Sequence, residues 1–156
     1  MHEQWWDIYD RSFIGIAGLV EERIAIMGMD ITGICQERID GRWVTASKKP
    51  RLFEGTRNRD YFIFLLGVMN HIDINDGAID DLIRESDGYI DDKTELTDRG
   101  NNFSNPGFLT LSELIDLKQD RYNPSPWLHD ELIRDLSKIC GTRDHKDFRI
   151  VFIFDN

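Results

Sequence analysis

The stretch "FRIVFIF", Phe148 to Phe154, decides the fold. Apart from Arg149 it is apolar, and it is built from β-branched and aromatic residues. A strand with one wet face alternates apolar and polar residues, whereas a nearly continuous apolar run of this length reads as a strand covered on both faces, hence a central one. Working outward, such a strand needs neighbours. "DITGICQERIDGRWVTA", residues 30–46, supplies two short β-type runs around Asp40-Gly41, a pair that accepts the positive φ angles of a type I′ hairpin. Strands are expected at about 30–38 and 42–47. The apolar Ile31 to Gln36 run is placed beside the last strand, which brings Asp30 and Asp155 to the sheet's ends.

The covering layer is helical. Trp6, Tyr9, Phe13, Ile16 and Val20 recur at helical spacing, so residues 3–24 hold an amphipathic helix that Gly15 and Gly18 weaken. Lys48 to Thr56 reads as a loop. "RNRDYFIFLLGVMN" then carries Tyr61, Phe62, Leu65, Leu66 and Met69 on one stripe, with Asn58 as its cap. A short helix is expected near Ala78 to Ile83. Thr110 and Glu113 form a capping box that starts a helix over 111–118. In "NPSPWLHDELIRDLSKICG", Ser125 takes the N-cap, Pro126 the first turn, Lys138 the last turn and Gly141 the position beyond. The expected product is one α+β domain over 27–156, a small mixed or antiparallel sheet covered by helices, preceded by a helical extension over 1–26.

A chain of 156 residues buries about 68–70% of its unfolded surface, enough for a core without disulfides or a structural metal. Cys35 and Cys140 lie far apart and form no CxxC, so they read as buried thiols in a reducing compartment. No signal peptide is evident and no apolar run approaches the roughly 18 residues of a membrane span, which points to the cytoplasm. The net charge of −10 argues against general affinity for nucleic acid. That charge is uneven. Between Asp73 and Asp98 ten acidic residues face only Arg84 and Lys93, while Lys48, Lys49, Arg51, Arg57 and Arg59 make a basic island against Glu54 and Asp60.

The island is the leading candidate site. Arg57 and Asn58 at a helix start, with Arg59, Arg51 and Lys48 nearby, can offer guanidinium forks and free end amides to a phosphate. Trp43, Tyr61 and Phe108 are the rings expected to stack on an attached base. The competing reading pairs these cations with the acidic segment. A second grouping takes Asp30 and Asp155 with Asn156 as an acidic cluster, or Asp30 and Asp155 with His71 as catalytic candidates; its plain alternative is that they cap strand ends. No ligand spacing marks a metal site, and no cofactor is implied. "DINDGAIDDLIRE" is not an EF-hand: with Gly77 at loop position 6, positions 1, 3 and 12 become Ile72, Ile74 and Ile83. His71, His129 and His145 are scattered, with His129 expected on the surface of its helix. No nucleophile sits in an elbow or beside an evident base.

Four blocks then occur in one order: "MGMDITGICQERIDGRW", "RNRDYFIFLLGVMN", "GFLTLSELI" and "DFRIVFIFDN". Over 27–156 the chain resembles a family of small uncharacterised proteins of tailed phages and prophages that typically begin MGCDIH and close DVRIVFWFDN. Asp30, Arg57, Asn58, Asn70, Asp155 and Asn156 match its pattern, whereas Met29, Thr32 and Ser104 stand where the family has Cys or His. On this resemblance residues 1–26 are either an added helix or the product of a start codon assigned too early. It implies an accessory role in host takeover or anti-defence, in the host cytoplasm. The first reading is capture of a small phosphorylated ligand such as a nucleotide immune signal. The alternatives are a phosphodiesterase or other hydrolase of such a ligand, and an acidic decoy that mimics nucleic acid to bind a host defence protein. A homodimer is compatible with any of them.

Overall fold

A computed structural model describes residues 30–47, 50–55, 57–97 and 103–155. The expected helix within residues 1–26, and Lys48, Lys49 and Asn156, lie outside them. The described strands are β1 (Asp30–Ile39), β2 (Arg42–Ser47), β3 (Asn70–His71), β4 (Gly107–Thr110) and β5 (Phe148–Asp155). They form one antiparallel sheet in the order β2-β1-β5-β4-β3. β5 is therefore central, as its composition requires, and every residue from Phe148 to Phe154 is buried. It pairs with β1 from Asp30↔Asp155 to Glu37↔Phe148. The β1–β2 turn has φ of 51° at Asp40 and 77° at Gly41, the left-handed pair expected of that dipeptide.

The helices are α1 (Arg59–Val68), α2 (Gly77–Glu85), α3 (Lys93–Thr97), α4 (Leu111–Asp116) and α5 (Pro126–Cys140). They lie on both faces of the sheet. Phe148, Ile150, Phe152 and Phe154 point into the larger core with Tyr61, Phe62 and Leu65 of α1, Leu111 and Leu114 of α4, and Leu128, Leu132 and Leu136 of α5. Val151 and Ile153 point to the other side, against Ala78, Ile79 and Leu82 of α2 and Leu96 of α3. The alternation of a strand thus survives inside an apolar run, with each set of side chains meeting its own helical layer.

Local chemistry sets the helix ends. Asn58 accepts from the Tyr61 amide at 3.0 Å to start α1. The Thr110–Glu113 capping box is present in full. α4 stops at Asp116 and continues as a 3-10 turn over Leu117–Gln119, a shorter α-helix than 111–118. Ser125 precedes α5, but its side chain makes no cap bond, contrary to expectation. Gly141 ends α5 with φ of 62°, and its amide donates to Ser137 O at 3.0 Å. β3, β4 and α3 are elements that the sequence did not announce, because two to five residues are too few to show a period. Cys35 and Cys140 are free and buried. No helix among the described residues is long and apolar enough to cross a membrane.

Candidate functional site

The single interruption of the β5 run becomes the centre of the site. Alternation puts Arg149 on the α2 side of the sheet, in register with Gln36 of β1 and Thr110 of β4. Its side chain is only 3% exposed. Nε and Nη2 donate to the one Oε1 of Gln36, at 3.0 and 2.8 Å. The guanidinium carbon lies 4.3 Å from the ring centre of Trp43 and 4.7 Å from that of Phe108.

Local sequence explains why these groups meet. A register shift between Cys35 and Gln36 aligns Gln36 with Thr45 and Arg38 with Trp43, so Trp43 shares the face of Gln36 and leans toward Arg149. Arg38 also approaches that indole, at 4.6 Å. Phe108 stands opposite Val151 in β4 and therefore faces the same way. Thr45, beside Gln36, donates to Asp81 of α2 at 2.7 Å and ties the helix over this end of the sheet.

The electrostatics are unusual for a buried arginine. No carboxylate among the described residues lies within ion-pair distance of it. Burial pushes its pKa down to about 10, while Asp76, the N-cap of α2, attracts it from further off and Arg38 repels it. It therefore stays charged at neutral pH. Two desolvated ring contacts contribute about 2 kcal/mol each, and the two hydrogen bonds to a charged group about 1.5–3 each. Desolvating the cation costs several kcal/mol, which these contacts offset, yet none of its described partners cancels its charge. Nη1 donates to no described residue, and that edge is where an oxyanion could dock.

The basic island is arranged differently. Arg57 pairs with Asp30 at 3.0 Å and Arg59 with Asp60 at 3.2 Å, so these cations meet nearby carboxylates rather than the acidic segment. Arg51 is exposed, in a 3-10 turn. Asn58 has its oxygen on the Tyr61 amide. Tyr61 is fully buried, which corrects the expectation that it stacks on a ligand. Its hydroxyl instead meets His129, which is equally buried and not on the surface. Trp43 and Phe108 do converge, around Arg149 rather than Arg57.

The Asp30, Asp155 and His71 grouping is also corrected. Asp30 and Asp155 are cross-strand partners, and Asp155 accepts a hydrogen bond from the Tyr89 hydroxyl. His71 aligns with Gly107, which aligns with Phe152, so it lies two strands over and three residues back from Asp155. That separates them by about 10 Å in each direction. Among the described residues no three His, Cys, Asp or Glu side chains are grouped to hold a metal. Several carboxylates of the acidic segment serve local structure: Asp76 caps α2, Asp81 holds Thr45 and Arg84, and Asp92 accepts from the Thr94 amide. Asp80 pairs with Lys93 across a shallow hollow lined also by Ile83, Asp91, Asp92 and Thr94.

No protein-family model, curated protein or solved structure matches the chain. The candidate site thus rests on its own geometry. Sequence reasoning had named two of its members, Trp43 and Phe108, and missed Arg149 and Gln36. The available signal was a lone cation inside an otherwise apolar central strand, a position where a charge is costly unless something holds it.

Proposed function

We propose that this is a phage-type accessory protein, acting in the host cytoplasm, that binds and holds a small phosphorylated ligand such as a nucleotide signal, with Arg149 as the group that meets the anion. The reading is supported by one observation above all. A guanidinium 3% exposed is held by the neutral oxygen of Gln36 and two rings, with no described carboxylate in contact. Gln36 fixes one edge of the fork and leaves Nη1 for an incoming oxygen. Trp43 is only partly buried, and on this reading its indole covers the organic part of the ligand. Arg57 and Arg59, each already beside a carboxylate, take at most a peripheral part.

Thermal shift against a panel of cyclic and linear nucleotides tests this. Stabilisation by at least one member is expected, weakened strongly in Arg149→Lys, which keeps the charge but loses the planar fork, and retained in Arg57→Ala. A wild-type protein that no phosphorylated compound stabilises, or a folded Arg149→Lys that responds in full, would remove the proposal.

A further inference from the structure

The first turn of α5 presents a second feature, distant in sequence from Arg149 and unused by the reading above. Pro126 opens the helix and Ser125 caps it in position only, its side chain making no cap bond. The first helical bond runs from the His129 amide to Ser125 O, at 3.0 Å. The Trp127 and Leu128 amides therefore have no acceptor among the described residues. α5 is 15 residues long, so these amides carry the positive end of a full helix dipole.

Asn123 sits against this turn. It is 8% exposed, and its Oδ1 accepts from the Ser125 amide at 3.0 Å. That bond fixes which limb of the carboxamide is oxygen. Nδ2, the other limb, is buried and has no hydrogen-bond partner among the described residues. A buried donor left without an acceptor costs about 1–3 kcal/mol and needs a reason. Two large rings of the same segment are open: Tyr122 is 69% and Trp127 63% exposed. The Arg121 guanidinium lies 4.7 Å from the Tyr122 ring centre and donates to its hydroxyl at 2.7 Å.

We infer that the start of α5 is an oxyanion seat, in which a small organic phosphate or carboxylate accepts from Asn123 Nδ2 and the Trp127 and Leu128 amides while its carbon skeleton lies against Tyr122 and Trp127. All three donors lack an acceptor and none of them is negative. Two nearby carboxylates have partners of their own: Asp120 receives the Tyr122 amide at 2.8 Å, and Asp130 pairs with Lys118 at 3.2 Å. Arg121 adds positive charge at the rim.

The experiment is a titration of the full ¹⁵N-labelled chain with inorganic phosphate, and in separate arms with acetate and phenyl phosphate, followed by ¹H–¹⁵N correlation spectra. Saturable shifts of the Asn123 side-chain amide and of the Trp127 and Leu128 amides are expected, with phenyl phosphate tighter than phosphate because it also reaches the rings. Asn123→Asp keeps the oxygen that accepts from Ser125 and replaces the donor by a charge. It should raise the dissociation constant by about tenfold or more, the loss expected of a charge-assisted hydrogen bond. The wild-type Asn123 resonance gives its own answer should that variant fail to fold. Shifts that never saturate, or that leave Asn123, Trp127 and Leu128 unmoved, overturn the inference. Arg149→Lys is expected to show the same α5 shifts as wild type, so the two sites stand or fall separately.

Discussion

The Tyr61 hydroxyl and Nδ1 of His129 meet at 2.6 Å inside the core, joining α1 to α5. On its other side His129 Nε2 lies 2.5 Å from Leu114 O in α4. A carbonyl only accepts, so Nε2 carries the proton and Nδ1 receives the tyrosine's. Three helices are thereby locked around a neutral imidazole, and a second proton on Nδ1 would reverse the tyrosine's hydrogen bond and bury a charge.

Stability should therefore depend on pH in a definite window. Burial depresses the His129 pKa below its ordinary value of 6.5. The unfolded chain takes up this proton as pH falls through about 6.5, whereas the folded chain resists until its lower value is passed. Stability from this group is complete above the ordinary value and declines below it. Melting temperatures between pH 7.5 and 5.5 should fall before the carboxylates begin to titrate, and a flat profile over that range would contradict the buried neutral imidazole.

Tyr61→Phe removes the donor and leaves Nδ1 of His129 buried without a partner. The expected cost is about 1–3 kcal/mol in urea unfolding. Were the hydroxyl only packing filler, the variant would match wild type within a few tenths of a kcal/mol.

Gln36 and Arg149 should behave as a coupled pair. Arg149→Met strands the Gln36 oxygen, and Gln36→Leu strands the cation, the worse of the two. Each single change is expected to destabilise by about 1–4 kcal/mol, and Gln36→Leu/Arg149→Met to recover most of the loss, since replacing both members of a buried polar pair by apolar groups is close to neutral. Additive losses would show that the two do not interact. A double variant that is stable but silent toward every phosphorylated ligand would separate the site's function from its role in packing.

Gly33 lies under the ring of Phe53: a Cβ built there falls 2.7 Å from Phe53 Cε2 and 3.2 Å from Val151 O. Gly33→Ala should cost about 1–3 kcal/mol by overpacking. Adding Phe53→Leu should return part of it, which a pair of equilibrium unfolding curves would show.

Arg57→Ala, by contrast, breaks an ion pair about half exposed on both sides. A change of at most about 1 kcal/mol is expected, shrinking further in high salt. A larger loss would mean that the Asp30–Arg57 contact anchors the start of β1 more firmly than an exposed pair does.

The skeleton was legible because strong local signals agreed with the tertiary demand. Phe148 to Phe154 could be satisfied only in the middle of a sheet, Asp40-Gly41 only by a tight turn, and Thr110 with Glu113 only at a helix start. The short strands Gly107–Thr110 and Asn70–His71 had no such signal, since they exist by pairing with an edge already formed. The site was harder for a related reason. Charge counting drew attention to arginines clustered in sequence, Arg57 and Arg59, which turn out to sit beside aspartates. The arginine without a carboxylate was solitary in sequence, and its partners Gln36, Trp43 and Phe108 come from three strands that only folding assembles.

The strand that unites the sheet is also the last of the described strands to be made. β1 touches β4 only through β5, so until Phe148 to Asp155 emerges from the ribosome the hairpin and the β3–β4 ladder have no shared partner. The hairpin and the β3–β4 ladder each keep an unzipped edge until that strand is made. Chains halted before Phe148 should be captured by chaperones or proteases, while chains that include β5 close the sheet in one cooperative event.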